Sequence, residues 1–243
     1  MVPVTKTAKI RLYVDHPLGS GQSVPLSRDQ AHYLFSVMRL KQGDEVLLFN
    51  GSDGEWRAEI VVVRKRQGSL ICSEKTAAQR APPDLWLMFA PVKKARTDLI
   101  VEKAVEMGAT RILPVQTEFT NAERIRRDRL QAHAIEAAEQ CGTTFVPEVA
   151  ELAKIDRVLR DWPTDRHIMF CNEALAGERI EFPSQIGAWA ILIGPEGGFS
   201  EGERNHIAKM DQSHAISLGP RILRADTAAV AALTIWQQAL GDW

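Results

Sequence analysis

The chain reads as two domains, a small N-terminal β domain over 1–78 and a larger α/β domain over 79–243 whose mostly parallel sheet is covered on both faces. Three observations predict this. Short apolar runs punctuated by turn residues fill 9–75; the stretch 77–84, with Pro82-Pro83, has no periodicity; beyond it, apolar strand patterns alternate with helical ones.

In the first domain strands are predicted at 10–14, 45–49, 56–63 and 69–74, separated by the turn signals Asn50-Gly-Ser-Asp-Gly54 and Gln67-Gly68. One helix is expected after Ser27 as N-cap, with Ala31, Leu34, Phe35 and Met38 at helical spacing, ending near Leu40 and plugging one side of a β-barrel. In the second domain strands are predicted at 85–90, 111–115, 167–171, 189–193 and 215–218, and helices at 97–107, 125–140, 201–210 and 226–240, with Gly108 stopping the first helix.

Composition narrows the class. With 45% apolar and 25% charged residues the chain is globular rather than disordered or fibrous. No run of eighteen uncharged apolar residues occurs and the first eleven residues lack an apolar stretch, so a cytoplasmic protein without a membrane span or secretory signal is expected. Cys72, Cys141 and Cys171 form no CxxC pair, and the histidines show neither HExxH nor HxxxH spacing, which predicts reduced thiols and no metal. Cys141 is expected as a small buried side chain, and His32 as a packing residue of the N-terminal helix. Residues 1–80 carry 12 Lys and Arg against 8 Asp and Glu, whereas the remainder carries 18 against 23. That asymmetry fits a phosphate-backbone partner and is also common on ordinary solvated surfaces.

Two loops carry the chemistry. Ile193-Gly-Pro-Glu-Gly-Gly-Phe-Ser200 follows an apolar strand and opens a helix, with Ser200 and Glu203 spaced as a capping box. Glycines at the carboxyl end of a strand let a ligand approach the main chain; the other reading is a tight strand-to-helix turn. Leu218-Gly-Pro-Arg-Ile-Leu-Arg-Ala-Asp-Thr-Ala228 follows the next strand, so the two loops read as two walls of one pocket. Arg221, Arg224 and Asp226 lie between a strand and an alanine-rich helix, either as site residues or as an ion pair with Asp226 as helix cap.

These loops resemble the two cofactor loops of the 16S rRNA uridine-N3 methyltransferase family of the SPOUT superfamily. Agreement continues in order through His32-Tyr-Leu-Phe-Ser-Val-Met-Arg-Leu40, Gly43-Asp44, Lys93, Glu102-Lys-Ala-Val-Glu-Met-Gly108, Ala137-Ala-Glu-Gln-Cys-Gly142 and Pro147. The resemblance implies a trefoil-knotted α/β domain behind a PUA-like RNA-binding β-barrel, S-adenosylmethionine as cofactor, and methylation of N3 of one uridine in 16S rRNA, with the assembled small ribosomal subunit as partner. It places the cofactor against Gly194, Pro195, Glu196, Gly197, Gly198, Leu218, Gly219, Ile222, Leu223, Arg224 and Thr227, with Gly197 and Gly198 leaving room for it. It also implies a homodimer through helix 226–240, where Val230 and Ala231 widen the apolar face of Ala229, Leu233 and Trp236. Where the family usually has Arg after Glu-Gln-x-Gly this chain has Thr143, and where it usually has Glu this chain has Asp226.

The reaction needs a cation beside the uracil carbonyls, for which Arg224 and Arg221 are the candidates, and a proton acceptor, for which Glu196 and Asp226 are. The PUA-like resemblance makes Arg11, Arg39, Arg64, Lys65 and Arg66 backbone contacts, although Arg64 to Arg66 also read as a solvated strand end. Lys93, Lys94, Arg96, Arg124 and Arg127 are further RNA candidates; positive charge at the start of helix 125–140 opposes the helix dipole and hints at an anionic partner. Two other functions compete. A ribosome-assembly protein without turnover would not need intact glycine loops, and a nucleotide-dependent oxidoreductase would need the spaced glycines of a dinucleotide turn, which are absent.

Overall fold

The computed structural model describes residues 10–64, 66–176 and 187–243. Contacts divide the chain into two compact units. One gathers the described residues up to Ala81 with Ala138–Phe145; the other gathers Pro82–Ala137 with the described residues of Val146–Trp243.

The first unit contains β1 (Arg11–Tyr13), β2 (Ser23–Pro25), α1 (Arg28–His32), β3 (Glu45–Phe49), β4 (Glu55–Arg64) and β5 (Gln67–Ala77). The strands pair in the order β1-β3-β4-β5-β2, with β1 and β3 parallel and the other pairs antiparallel. Alternation along β3 and β4 sends Val46, Leu48, Ala58 and Ile60 into one core with Leu70 and Cys72. Strand β2 went unpredicted because three residues with only Val24 buried leave no alternation to read.

Ser27 caps α1: its Oγ accepts the Gln30 amide at 3.2 Å while Gln30 Oε1 accepts the Ser27 amide at 2.8 Å. The helix then widens into a π turn over Tyr33–Val37. Each residue of the wider turn rotates less about the axis, so the predicted spacing fails at its end: Leu34 is buried but Met38 is 41% exposed. Arg39 follows in the left-handed region at φ 59°, and Leu40 donates its amide to Leu34 at 2.9 Å. His32 is exposed, contrary to expectation, because Ala31 and Leu34 define the buried stripe of α1 and His32 stands one residue off it.

The second unit contains β6 (Leu85–Phe89), α2 (Lys94–Glu106), β7 (Arg111–Gln116), α3 (Arg127–Cys141, whose last residues belong to the first unit), β8 (Glu148–Val149), β9 (Ala153–Lys154), α4 (Ile155–Arg160), β10 (Arg166–Cys171), β11 (Ala188–Ile193), α5 (Glu201–Ala208), β12 (Ser213–Ile216) and α6 (Ala225–Leu240). The strand order is β12-β10-β11-β6-β7-β8, with β9 also on β7, and every pairing is parallel. The central strands are continuous apolar runs, Leu87-Met88-Phe89 and Ala190-Ile191-Leu192 being wholly buried, as a sheet covered on both faces requires. Elements β8, β9 and α4 were missed because none is long enough to show a period. Gly108 ends α2 at φ 78°; a Cβ there would come within 2.8 Å of Gln237 Nε2, which donates to the Met107 carbonyl at 2.7 Å and ties α6 to α2. Cys141 is exposed rather than buried, at the end of α3 beyond the buried stripe of Leu130, Ala134 and Ala138.

Candidate cofactor cavity and adjoining cleft

Parallel register brings the ends of β10, β11 and β12 to one edge of the second unit's sheet: Cys171 lies opposite Ile216, and Phe170 opposite Leu192. The loops leaving these strands enclose a cavity. Its walls are the segment after β11 (Gly194, Pro195, Glu196, Gly198), the segment after β12 (Leu218, Gly219, Arg221, Ile222, Leu223) and the segment after β10 (Asn172, Glu173, Ala176), above Cys171, Ile193 and Ile216. The two glycine loops do share one pocket, but their strands are not neighbours, because β10 runs between them. The third wall, Asn172 and Glu173, was missed; its signal was a polar pair directly after the apolar strand 167–171.

Local chemistry explains each wall. Pro195 and Gly198 close a turn, the Gly198 amide reaching the Pro195 carbonyl at 2.9 Å. Ser200 caps α5 as predicted, accepting the Glu203 amide at 3.3 Å, while the two Glu203 oxygens accept the Ser200 amide at 2.9 Å and the Glu118 amide at 2.8 Å. Glu173 accepts the Phe199 amide at 3.3 Å and lies 3.9 Å from Arg204, whose guanidinium also bonds the Phe199 carbonyl. Burial pushes the Cys171 thiol far above its ordinary range, so it faces the cavity floor as an uncharged group.

The glycines do different work from that expected. A Cβ on Gly194 would meet the Phe199 ring at 2.7 Å, one on Gly197 would meet Phe119 at 3.1 Å, and one on Gly198 would meet Glu173 Oε1 at 2.1 Å. Gly197 and Gly198 therefore leave room for the protein's own side chains. Gly219, at φ 108°, has nothing within 4 Å and is the open one. Gly197 and Thr227 are exposed and do not line the cavity.

A cleft adjoins the cavity through Glu196 and is lined by Pro91, Val92, Lys93, Arg96, Asn121 and Arg224. Arg96 bridges two carboxylates, with Nη1 3.5 Å from Glu196 and Nε 3.8 Å from Asp226. Asp226 is not the cap of α6: Arg224 holds that position without a side-chain bond, and Asp226 sits inside the first turn, accepting the Thr227 amide at 3.1 Å. Arg221 and Arg224 are both exposed, Arg221 on the cavity and Arg224 on the cleft.

The RNA candidates separate by what their cations already touch. Arg11 is spent inside the first unit: Nε pairs with Glu55 at 2.6 Å, Nη1 and Nη2 donate to the carbonyls of Ala138, Glu139 and Thr143, and the guanidinium lies 4.5 Å from the Phe49 ring centre. Four hydrogen bonds thus take up most of its five N–H groups, which leaves it little to offer a phosphate and corrects that expectation. Arg127 gives Nε to the Val149 carbonyl at 2.9 Å and keeps both Nη groups, and Arg96 is held by its two carboxylates. Arg39, Arg64, Arg66, Lys93, Lys94 and Arg124 are exposed. Lys65 lies outside the described residues. Among the described residues no group of His, Cys, Asp and Glu is arranged for a metal, and no helix is long and apolar enough to cross a membrane.

The RNA methyltransferase domain family matches residues 79–237, and the RNA methyltransferase PUA domain matches residues 26–71. The chain belongs to the RNA methyltransferase family. Relatives in this family include ribosomal RNA small subunit methyltransferase E of Rickettsia conorii, 31% identical over 92% of this chain and 93% of that one, and its namesake in Buchnera aphidicola of Schizaphis graminum, 30% identical over 96% and 97%. Among solved structures, ribosomal RNA small subunit methyltransferase E of Neisseria gonorrhoeae bound to S-adenosyl methionine superposes with a TM-score of 0.88 at 28% identity, over 96% of this chain and 99% of that one. A Legionella pneumophila protein in complex with the same cofactor superposes with a TM-score of 0.89 at 30% identity, over the same shares.

The cavity fits such a cofactor. It pairs an apolar floor (Ile193, Ile216, Ala228) with main-chain groups of Leu218, Ile222 and Leu223 that no described residue bonds. Ile222, on its rim, is 78% exposed, a large apolar face that a planar base would cover. Glu173 and Glu196 add negative charge to its lining.

Proposed function

We propose that this chain uses S-adenosylmethionine to methylate N3 of a single uridine in 16S rRNA of the small ribosomal subunit. The observation that carries the proposal is the continuity of the three-loop cavity with a cleft that holds Arg96 and Arg224 and shares Glu196. The main chain of Gly194, Leu218, Gly219, Ile222 and Leu223 would hold the cofactor, which when bound supplies an electrophilic methyl group on sulfur.

Uracil N3 carries a proton, and its attack on the methyl carbon is strong only once that proton leaves. Arg224, exposed on the cleft, stabilises the negative charge that grows on the uracil carbonyl oxygens, with Arg221 approaching from the cavity side. Glu196, common to cavity and cleft, accepts the proton; Asp226, inside the first turn of α6, holds Arg96 in place between them. Because the base must leave its stack to enter the cleft, recognition of the surrounding RNA falls to the PUA-like domain over 1–78 and to Arg39, Arg64 and Arg66.

The proposal extends to the assembly. The catalytic domain over 79–243 takes the trefoil knot of its superfamily, which the insertion of β11 between β6 and the earlier strand β10 supports. Two copies pair through α6, whose Ala229, Leu233 and Trp236 are buried within the chain while Val230 and Ala231 remain half-buried. The substrate is the assembled small subunit in the cytoplasm.

Titration calorimetry with S-adenosylmethionine, followed by transfer of labelled methyl to unmethylated small subunits, tests the reading. Saturable binding with label recovered as 3-methyluridine, and at least a hundredfold loss of kcat in Arg224→Ala without loss of cofactor binding, is expected. Absence of cofactor binding by the folded protein overturns it in favour of a non-catalytic RNA-binding role.

A further inference from the structure

Beyond the cleft lies a second recess in the same unit, formed where the start of α2 meets the segment entering α3. It shares Pro91, Val92 and Ala122 with the cleft, so cavity, cleft and recess follow one another across the surface. Four cations line it: Lys94, Arg124, Arg126 and Arg129. At its floor Asp98 is 8% exposed. Arg129 pairs with Asp98 Oδ2, but Oδ1 is buried and accepts no hydrogen bond from any described residue, His133 Nε2 lying 3.8 Å away.

A buried carboxylate oxygen without a donor is costly, and a ring of arginines and lysine at a helix start is unfavourable to the helix dipole. One ligand relieves both: a group with negative charge at one end and a hydroxyl donor a few ångströms away. A ribonucleotide is such a group. We propose that this recess holds the nucleotide next to the target uridine, with its phosphate on Arg124 and Arg126 and its ribose 2′-hydroxyl donated to Asp98 Oδ1. This rests on the methyltransferase reading and adds a specificity element to it, since the 2′-hydroxyl distinguishes RNA from DNA. Binding of the neighbour here would hold the uridine in the cleft beside Glu196.

The test compares wild type, Arg124→Ala/Arg126→Ala and Asp98→Asn for binding to unmethylated small subunits, for methyl transfer, and for competition by RNA and DNA nonamers of the target sequence. Both arginines are exposed, whereas Asn keeps the shape of the carboxylate but loses the charge that pairs with Arg129, so thermal unfolding of each variant accompanies the comparison. The double variant is expected to raise KM for subunits about tenfold at unchanged kcat and cofactor affinity. It should also flatten the dependence of log affinity on log salt by about 0.7 for each phosphate that the arginines no longer neutralise. Asp98→Asn is expected to narrow the preference for the RNA competitor severalfold. Wild-type transfer with an unaltered KM and salt slope in the double variant overturns the recess as a phosphate site, and an unaltered competitor preference in Asp98→Asn overturns the hydroxyl contact. Arginine-dependent binding of subunits without any methyl transfer keeps the recess and sinks the methyltransferase reading; no binding of subunits by the wild type sinks both.

Discussion

The two glycine loops at the cavity are alike in composition and opposite in physical role. In the loop after β11, Gly194, Gly197 and Gly198 are small because Phe199, Phe119 and Glu173 occupy the space where their side chains would be. In the loop after β12, Gly219 is small because its backbone sits at φ 108°, and nothing of the protein stands near it. A glycine-rich motif can thus mean that the protein packs against itself or that it leaves main chain open, and only the neighbours distinguish the two.

Gly198→Ala should separate the loops most sharply. It combines φ 69° with a contact of 2.1 Å to Glu173, so we expect a loss of about 2–4 kcal/mol in denaturant unfolding together with loss of cofactor binding. The Gly198→Ala/Glu173→Ala double variant should recover the steric part and keep the backbone strain, a coupling that a double-mutant cycle measures. Additive effects would show that the clash is not what the glycine avoids.

Gly194→Ala presses on the Phe199 ring, which is buried edge-on against Phe170 at 5.1 Å between centres. About 1–3 kcal/mol of stability should be lost, read by thermal unfolding, because the ring has little room to yield. Gly219→Ala should cost only about 1–2 kcal/mol of backbone strain while weakening cofactor binding in calorimetry, since the strain falls on the open wall. If Gly219→Ala destabilises more than Gly194→Ala, the contrast between the loops is wrong.

The smallest effect concerns the other end of the same strands. His167 and His214 share a hydrogen bond of 3.0 Å beside Trp189, near the start of β10, β12 and β11. Burial, and then the neighbouring His167, hold the His214 pKa below its ordinary value of 6.5. An unfolded chain then takes up a proton more readily than the folded one, so this contribution is full above about pH 6.5 and is lost as pH falls from there through the folded pKa. His214→Phe should flatten the pH dependence of stability in that window and leave cofactor affinity unchanged, which would confine the loops' chemistry to the opposite edge.

Sequence patterns revealed whatever rests on local rules. The capping boxes at Ser27 and Ser200, the stop at Gly108 and the alternation of apolar strands with helices were all readable, because each is a matter of spacing within one turn or one strand. The pairing of the two glycine loops was readable in outline. Its third wall was not, since Glu173 joins the cavity only through the placement of β10 between β12 and β11, a long-range property. Arg11 looked like a phosphate ligand because charge alone does not say which carbonyls a fold will bring to a guanidinium. Burial of Met38 and Cys141 failed because helical stripes end where a turn widens or the helix stops, and that of His32 because it stands one residue off the stripe.

Arg11 also bears on inheritance. Its acceptors at Ala138, Glu139 and Thr143 come from a segment over 120 residues downstream, yet that segment folds with the first unit. Gene fusion or exchange at the proline-rich junction would transplant the β domain without the carbonyls that hold this guanidinium, leaving it to water and uncovering the Phe49 face beneath it. The module that looks separable along the gene is stitched to a much later stretch of chain, so a cut at that junction divides what folds together.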